Sequence, residues 1–121
     1  RDLAKIMLLL HQNGQWMATQ LVSAEWIAES FSQTLLTGGE NGEVYGLGWW
    51  SESYSHFGTT RRALFGKGFG GQRPILLPEL DIIIVATAWN ILPDQPFLSE
   101  PEAIDRVLAA LEVDDFPPEL P

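Results

Sequence analysis

The sequence has no cysteine, which excludes disulfides, thiolate zinc sites and cysteine nucleophiles. No apolar run approaches the roughly 18–20 residues that a membrane-spanning helix needs. Positive charge is scarce, with Lys+Arg 7 against Asp+Glu 16 and a formal net charge of −9 at pH 7. Nucleic acids and anionic membranes are held through surplus Lys and Arg, so neither is expected as a partner. Only two histidines occur, and with scattered carboxylates they do not resemble a metal site. No metal and no cofactor is expected. The lack of cysteine leaves cytoplasm and periplasm equally open.

What is present describes a folded chain. It has 121 residues, 45% of them hydrophobic and 19% charged. A chain of this size buries roughly two thirds of its unfolded surface, enough for one compact domain or a piece of one. It begins at Arg1, already inside a helical pattern, and reads like a piece cut from a longer protein.

Asp2 is a candidate N-cap, and Leu3, Ile6, Met7 and Leu10 follow at helical spacing, so a helix is expected over 3–13 with Gly14 as its stop. Ser23 is a second candidate cap, with Glu25 in the favourable first turn and Trp26, Ile27 and Phe31 on one side of the helix. A loop is expected over 33–43. From Val44 the period changes: Tyr45, Leu47 and Trp49 alternate with Gly46 and Gly48, predicting a strand with one bare face. A polar stretch over 51–60 and a short strand over 62–65 follow, then the glycine-rich residues 66–71. Residues 73–77 and 81–89 are two extended runs joined at Pro78-Glu79-Leu80-Asp81, which predicts an antiparallel hairpin. Ile82, Ile83, Ile84 and Val85 are β-branched without a break, the pattern of a strand buried on both faces.

Residues 90–98 read as a loop. Ser99 and Glu102 have capping-box spacing, and Ile104, Val107, Leu108 and Leu111 predict an amphipathic helix that covers the hairpin. The acidic, proline-bearing residues 112–121 read as a tail, leaving 1–111 as the folded part. The fold class is α+β, an antiparallel sheet flanked by helices.

Nucleophilic catalysis needs a nucleophile with a base in reach. No serine lies in Gly-x-Ser-x-Gly, no Ser-x-x-Lys pair exists, and neither Tyr45 nor Tyr54 has an Asn two residues on. His11 reads as a surface or capping residue and His56 as part of a polar loop. The five tryptophans fit a core or a ligand cleft. Gly66-x-Gly68-x-x-Gly71 has the outline of a phosphate cradle, but a strand with Pro74 follows where a helix is required. Such glycines do let a substrate approach a strand backbone, whose N–H groups stabilise an oxyanion. Arg61, Arg62, Lys67 and Arg73 gather near this segment, either as a solvated face or to attract a substrate carboxylate.

Several segments together resemble a family. Asp2-Leu3-Ala4-Lys5-Ile6, Tyr45-Gly46-Leu47-Gly48-Trp49-Trp50, Gly68-Phe69-Gly70-Gly71-Gln72 and Pro78-Glu79-Leu80-Asp81 occur in this order in serine β-lactamase-like hydrolases. The likeness is to the class C β-lactamase and esterase branch, related to penicillin-binding proteins, and it runs from residue 1 to about 111. It implies the C-terminal part of a larger, periplasmic or secreted enzyme that hydrolyses a small ester, amide or peptide through an acyl-enzyme. The family's Ser-x-x-Lys and Tyr-x-Asn motifs would lie upstream, so this chain alone is expected to be inactive.

Phe69, Gly70 and Gly71 match the family's third motif, Lys/His-Thr/Gly-Gly, on the strand bordering the active site. Phe69 stands where many members carry a cation, which makes β-lactam turnover less expected. The backbone N–H of Gln72 matches the second oxyanion donor, and Asn90 aligns near the substrate rim. The resemblance also makes the final strand, from Ile82 to Trp89, a central one whose second neighbour lies elsewhere in the family's chain. An uncovered edge there is expected to join copies into a homo-oligomer. The competing reading is a non-enzymatic binding module that uses that edge strand or a tryptophan-lined cleft.

Overall fold

The computed structural model describes residues 1–32, 36–37, 43–92 and 98–111, with backbone alone at 36–37. Helix α1 (Asp2–His11) leads through a small hairpin, β1 (Gln15–Trp16) and β2 (Thr19–Gln20), into α2 (Ala24–Ser32). Strands β3 (Leu36–Thr37), β4 (Val44–Tyr45), β5 (Trp50–His56), β6 (Thr59–Phe65), β7 (Arg73–Leu77) and β8 (Ile82–Ala86) pair in sequence order. Every adjacent pair is antiparallel. Helix α3 (Glu100–Leu111) closes the fold. The expected α+β class, an antiparallel sheet flanked by helices, is what the structure has.

Strand side chains alternate between faces, and the two faces are covered by different helices. Met7, Leu10 and Ile27 of α1 and α2 pack on Leu64 and Leu76, with Phe31, Trp49 and Ile83 at the margin. Ala103, Ile104 and Leu108 of α3 pack on Ala63, Phe65, Ile75 and Leu77, with Ile82 and Ile84 beside them. The closing helix thus covers the hairpin as its periodicity predicts. Its cap is half of the expected box: Ser99 Oγ accepts the Glu102 N–H at 3.4 Å, while the Glu102 carboxylate turns to Arg106 at 2.6 Å.

Local chemistry accounts for the departures. Asp2 is not the cap of α1 but its first residue, ion-paired with Lys5 at 3.1 Å, and the Arg1 carbonyl accepts the first amide. Helix α1 ends early because Asn13 and Gly14 take positive φ, 52° and 81°. A Cβ on Gly14 would sit 2.0 Å from the Val22 carbonyl oxygen, so the chain return there requires glycine. Ser23 caps α2 as expected, its Oγ accepting the Trp26 N–H at 3.2 Å. Ile27 and Phe31 face the core, whereas Trp26 is exposed.

Residues 44–49 are not one strand. Gly46 donates to the Trp49 carbonyl at 2.8 Å and Gly48 has φ 90°, which makes a tight turn between β4 and β5. The polar residues 51–60 are not a loop, because they form most of a seven-residue antiparallel pairing from Trp50↔Phe65 to His56↔Thr59. Leu36 and Thr37, expected in a loop, pair with β4. Glu43 at the end of that loop is described, while residues 33–35 and 38–42, residues 93–97 and the tail at 112–121 lie outside the described residues.

The β7–β8 hairpin forms as predicted, from Arg73↔Ala86 to Leu77↔Ile82, around a 3-10 turn at Pro78–Leu80. Strand β8 ends at Ala86 rather than at Trp89. It packs on both faces, Ile82 and Ile84 on one and Ile83 on the other, but is only partly buried throughout because it is the last strand in the sheet order and among the described residues pairs with β7 alone.

Candidate active-site wall

The glycine-rich segment leaves β6 and folds back on itself before β7. Gly66 N–H donates to the Pro74 carbonyl at 3.0 Å, Gly68 N–H to the Gln72 carbonyl at 2.9 Å, and Gly71 N–H to the Gly68 carbonyl at 3.3 Å. The reversal needs positive φ at Gly70 (76°) and Gly71 (97°). Its outer side meets the chain just past β8: Asn90 N–H donates to the Gly70 carbonyl at 3.0 Å, and the Gln72 side-chain amide donates to the Ala88 carbonyl. Residues 69–72 and Asn90, five positions from two distant stretches, are therefore brought together. Phe69 is 82% exposed and points no cation at the site. The segment runs into strand β7, not into a helix, so the phosphate-cradle outline has no helix N-terminus behind it.

Beneath the segment lies an ionic layer. Lys67 Nζ bonds both oxygens of Glu43, at 2.6 and 2.7 Å, and sits 4.8 Å from the centre of the Trp50 ring. The partly buried Arg73 guanidinium donates to the Gly68 and Gln72 carbonyls at 3.0 and 3.1 Å, and its Nε lies 2.5 Å from Glu100 Oε1 at the start of α3. Arg73 thereby ties both arms of the glycine turn to the closing helix. Farther along the sheet, Arg61 donates to the His56 carbonyl at 2.8 Å, and Arg62 to the Phe31 carbonyl at 2.6 Å and Ser51 Oγ at 3.1 Å. All four basic residues thus have partners within the chain, with Arg61 and Arg73 partly buried and Arg62 and Lys67 exposed.

Glu52 completes the layer. It is 6% exposed, and among the described residues its Oε1 has no hydrogen-bond partner. Burial pushes its carboxyl from 4.5 up to about 7, the negative charges of Glu43 and Glu100 push the same way, and Lys67 opposes them. The sequence reading leaves Glu52 in a polar loop. The signal for it is the alternation Trp50-x-Glu52-x-Tyr54, which puts the carboxylate on the apolar α3 face.

Neither histidine reaches the wall. His11 Nε2 lies 2.9 Å from Asp81 Oδ1, which links α1 to the β7–β8 turn. His56 belongs to β5, not to a loop, and its ring lies against that of Phe57, 4.3 Å between centres and tilted by 49°. It lines an open groove of about 180 Å³ with Ser55 and Asp105, at the opposite end of the β5–β6 pairing from the glycine turn. Among the tryptophans, Trp49 and Trp50 pack against the two cores, while Trp26 and Trp89 are exposed. They do not line one cleft.

No family model and no curated protein matches the sequence. A similar solved structure is that described as "Putative 6-aminohexanoate-dimer hydrolase from Bacillus anthracis", with a TM-score of 0.58 and 22% identity over 94% of this chain. What is shared is the fold. The present chain covers 27% of that protein, about a quarter of its length. The chain thus has the fold of one part of that longer protein.

Proposed function

We propose that this chain is one wall of the acyl-transfer cleft of a serine hydrolase acting on an ester, amide or peptide. The nucleophile and its base would come from residues outside these 121. The observation that carries the reading is the docking of the glycine turn on the chain after β8 through the Gly70–Asn90 hydrogen bond at 3.0 Å. It sets the turn that carries Gln72, whose backbone N–H the family resemblance makes an oxyanion donor, beside Asn90. Gly70 and Gly71 hold the positive φ that fixes the turn, and fixed N–H groups of this kind stabilise charge that develops in a transition state. Asn90 then belongs to the substrate rim, and a periplasmic or secreted location goes with the reading.

The chain alone would stabilise charge without forming an acyl-enzyme. Incubated with a fluorophosphonate probe and a chromogenic ester, it should show no stoichiometric serine labelling and no turnover. Labelling of any of its own serines overturns the proposal.

One observation favours the second reading, a binding module: β8 is paired on one side among the described residues, and its edge carries neither charge nor proline. A Ser-x-x-Lys helix encoded upstream decides for the hydrolase, and a start codon immediately before Arg1 decides for the module.

A further inference from the structure

Four exposed large apolar residues lie in the glycine turn and in the stretch docked on it. Phe69 is 82% exposed, Trp89 73% and Leu92 65%, and Ile91 is exposed beside them. The Gly70–Asn90 hydrogen bond sets their two segments side by side, and Ile91 Cγ2 lies 3.4 Å from where a Gly70 Cβ would be. Clustered exposure of this kind marks a surface that something covers. The charge around it narrows what that is. Lys67 is held by Glu43, and Arg73 by Glu100 and two turn carbonyls. The chain as a whole carries −9. A carboxylate reaching this wall would lose water without gaining a free cation from either residue.

Resting on the acyl-transfer reading, we infer that Phe69, Trp89, Ile91 and Leu92 determine specificity for neutral, apolar ester or amide substrates and against carboxylate-bearing ones. Phe69, the most exposed of the four, supplies apolar contact in the turn itself. Ile91 and Leu92 extend the same surface along an acyl or alkyl chain, and Trp89 adds a broad ring at low conformational cost.

The test is an amide-resolved NMR titration of the 121-residue chain with N-butylhexanamide and with hexanoate, which share one acyl chain and differ in charge. The neutral amide should shift Gly70, Gly71, Gln72 and Asn90, with an affinity at least about tenfold above that of hexanoate. Phe69→Lys should weaken the amide and narrow that gap, and Leu92→Ser should weaken both ligands. Both side chains are exposed, so the fold should survive either change. Equal or tighter hexanoate binding, shifts confined to other regions, no binding, or an unchanged gap in Phe69→Lys overturns the inference. The titration needs no turnover and so separates the two claims. A longer protein without a reactive serine defeats the acyl-transfer reading, whereas a proven serine hydrolase that prefers anionic substrates defeats only the specificity.

Discussion

Glu52 shows how one residue can set the pH response of a small fold. Its carboxyl is at about 7 when folded, against 4.5 as its ordinary value, and the groups facing it are Glu43, Glu100, Asp105 and Lys67. Below pH 4.5 it is protonated in both folded and unfolded chains and costs nothing. As pH rises from 4.5 to 7 the unfolded chain releases the proton first, so stability falls through that window and levels off above it. The full shift corresponds to at most about 3 kcal/mol. Urea unfolding at pH 5 and pH 8 should show this loss, and Glu52→Gln should remove most of it. A Glu52→Gln chain with the same pH slope as the parent contradicts the assignment. The glycines make a second residue-scale case. Gly70 and Gly71 hold positive φ, and a Cβ at Gly71 would come within 3.0 Å of the Ala88 Cβ. Either changed to Val should therefore lose stability, on the order of 1–3 kcal/mol, as well as turnover in the intact enzyme. Thermal unfolding of Gly71→Ala checks it, and an unchanged midpoint contradicts it.

At the scale of elements, the Arg73–Glu100 contact joins the glycine turn to α3. Breaking one side of a buried pair strands the other charge, and Glu100→Ala should cost roughly 3–5 kcal/mol and loosen the Gly68 amide. Hydrogen exchange reads both effects, and unchanged Gly68 protection would show that the turn holds itself. This link was not legible in the sequence, because Arg73 and Glu100 are 27 residues apart and nothing local pairs them. The β7–β8 hairpin and α3 were legible, since unbroken β-branched residues and a helical apolar stripe each leave one structural solution. The β5–β6 hairpin was not. Its outer residues are serine, threonine and arginine, and its stability comes from cross-strand pairing that composition does not display. The glycine pairs misled in the same way: Gly46 and Gly48 look like the bare face of a strand and are a turn. Positions 69–72 and Asn90 were singled out through family resemblance alone, and what the fold adds is that the two stretches lie side by side. The buried carboxylate beneath them needed the fold.

For the whole molecule, the open edge of β8 is the main feature without an internal partner among the described residues. Unpaired strand edges associate, so the 121-residue chain should run as a dimer or larger species in light scattering after size exclusion. Lysine at Val85 should shift it toward monomer. Ile83 is a poorer choice because it packs against the α1 and α2 core. A monomer of the parent chain with slow amide exchange along β8 contradicts this. The central claim, that the chain is a wall and not the whole of a serine hydrolase, is met most directly by labelling the protein encoded by the complete gene with a fluorophosphonate and mapping the modified residue. The account predicts one labelled serine, upstream of these 121 residues and followed three positions later by lysine. A label on a serine within the 121 residues, or no label on an intact protein that folds, contradicts it.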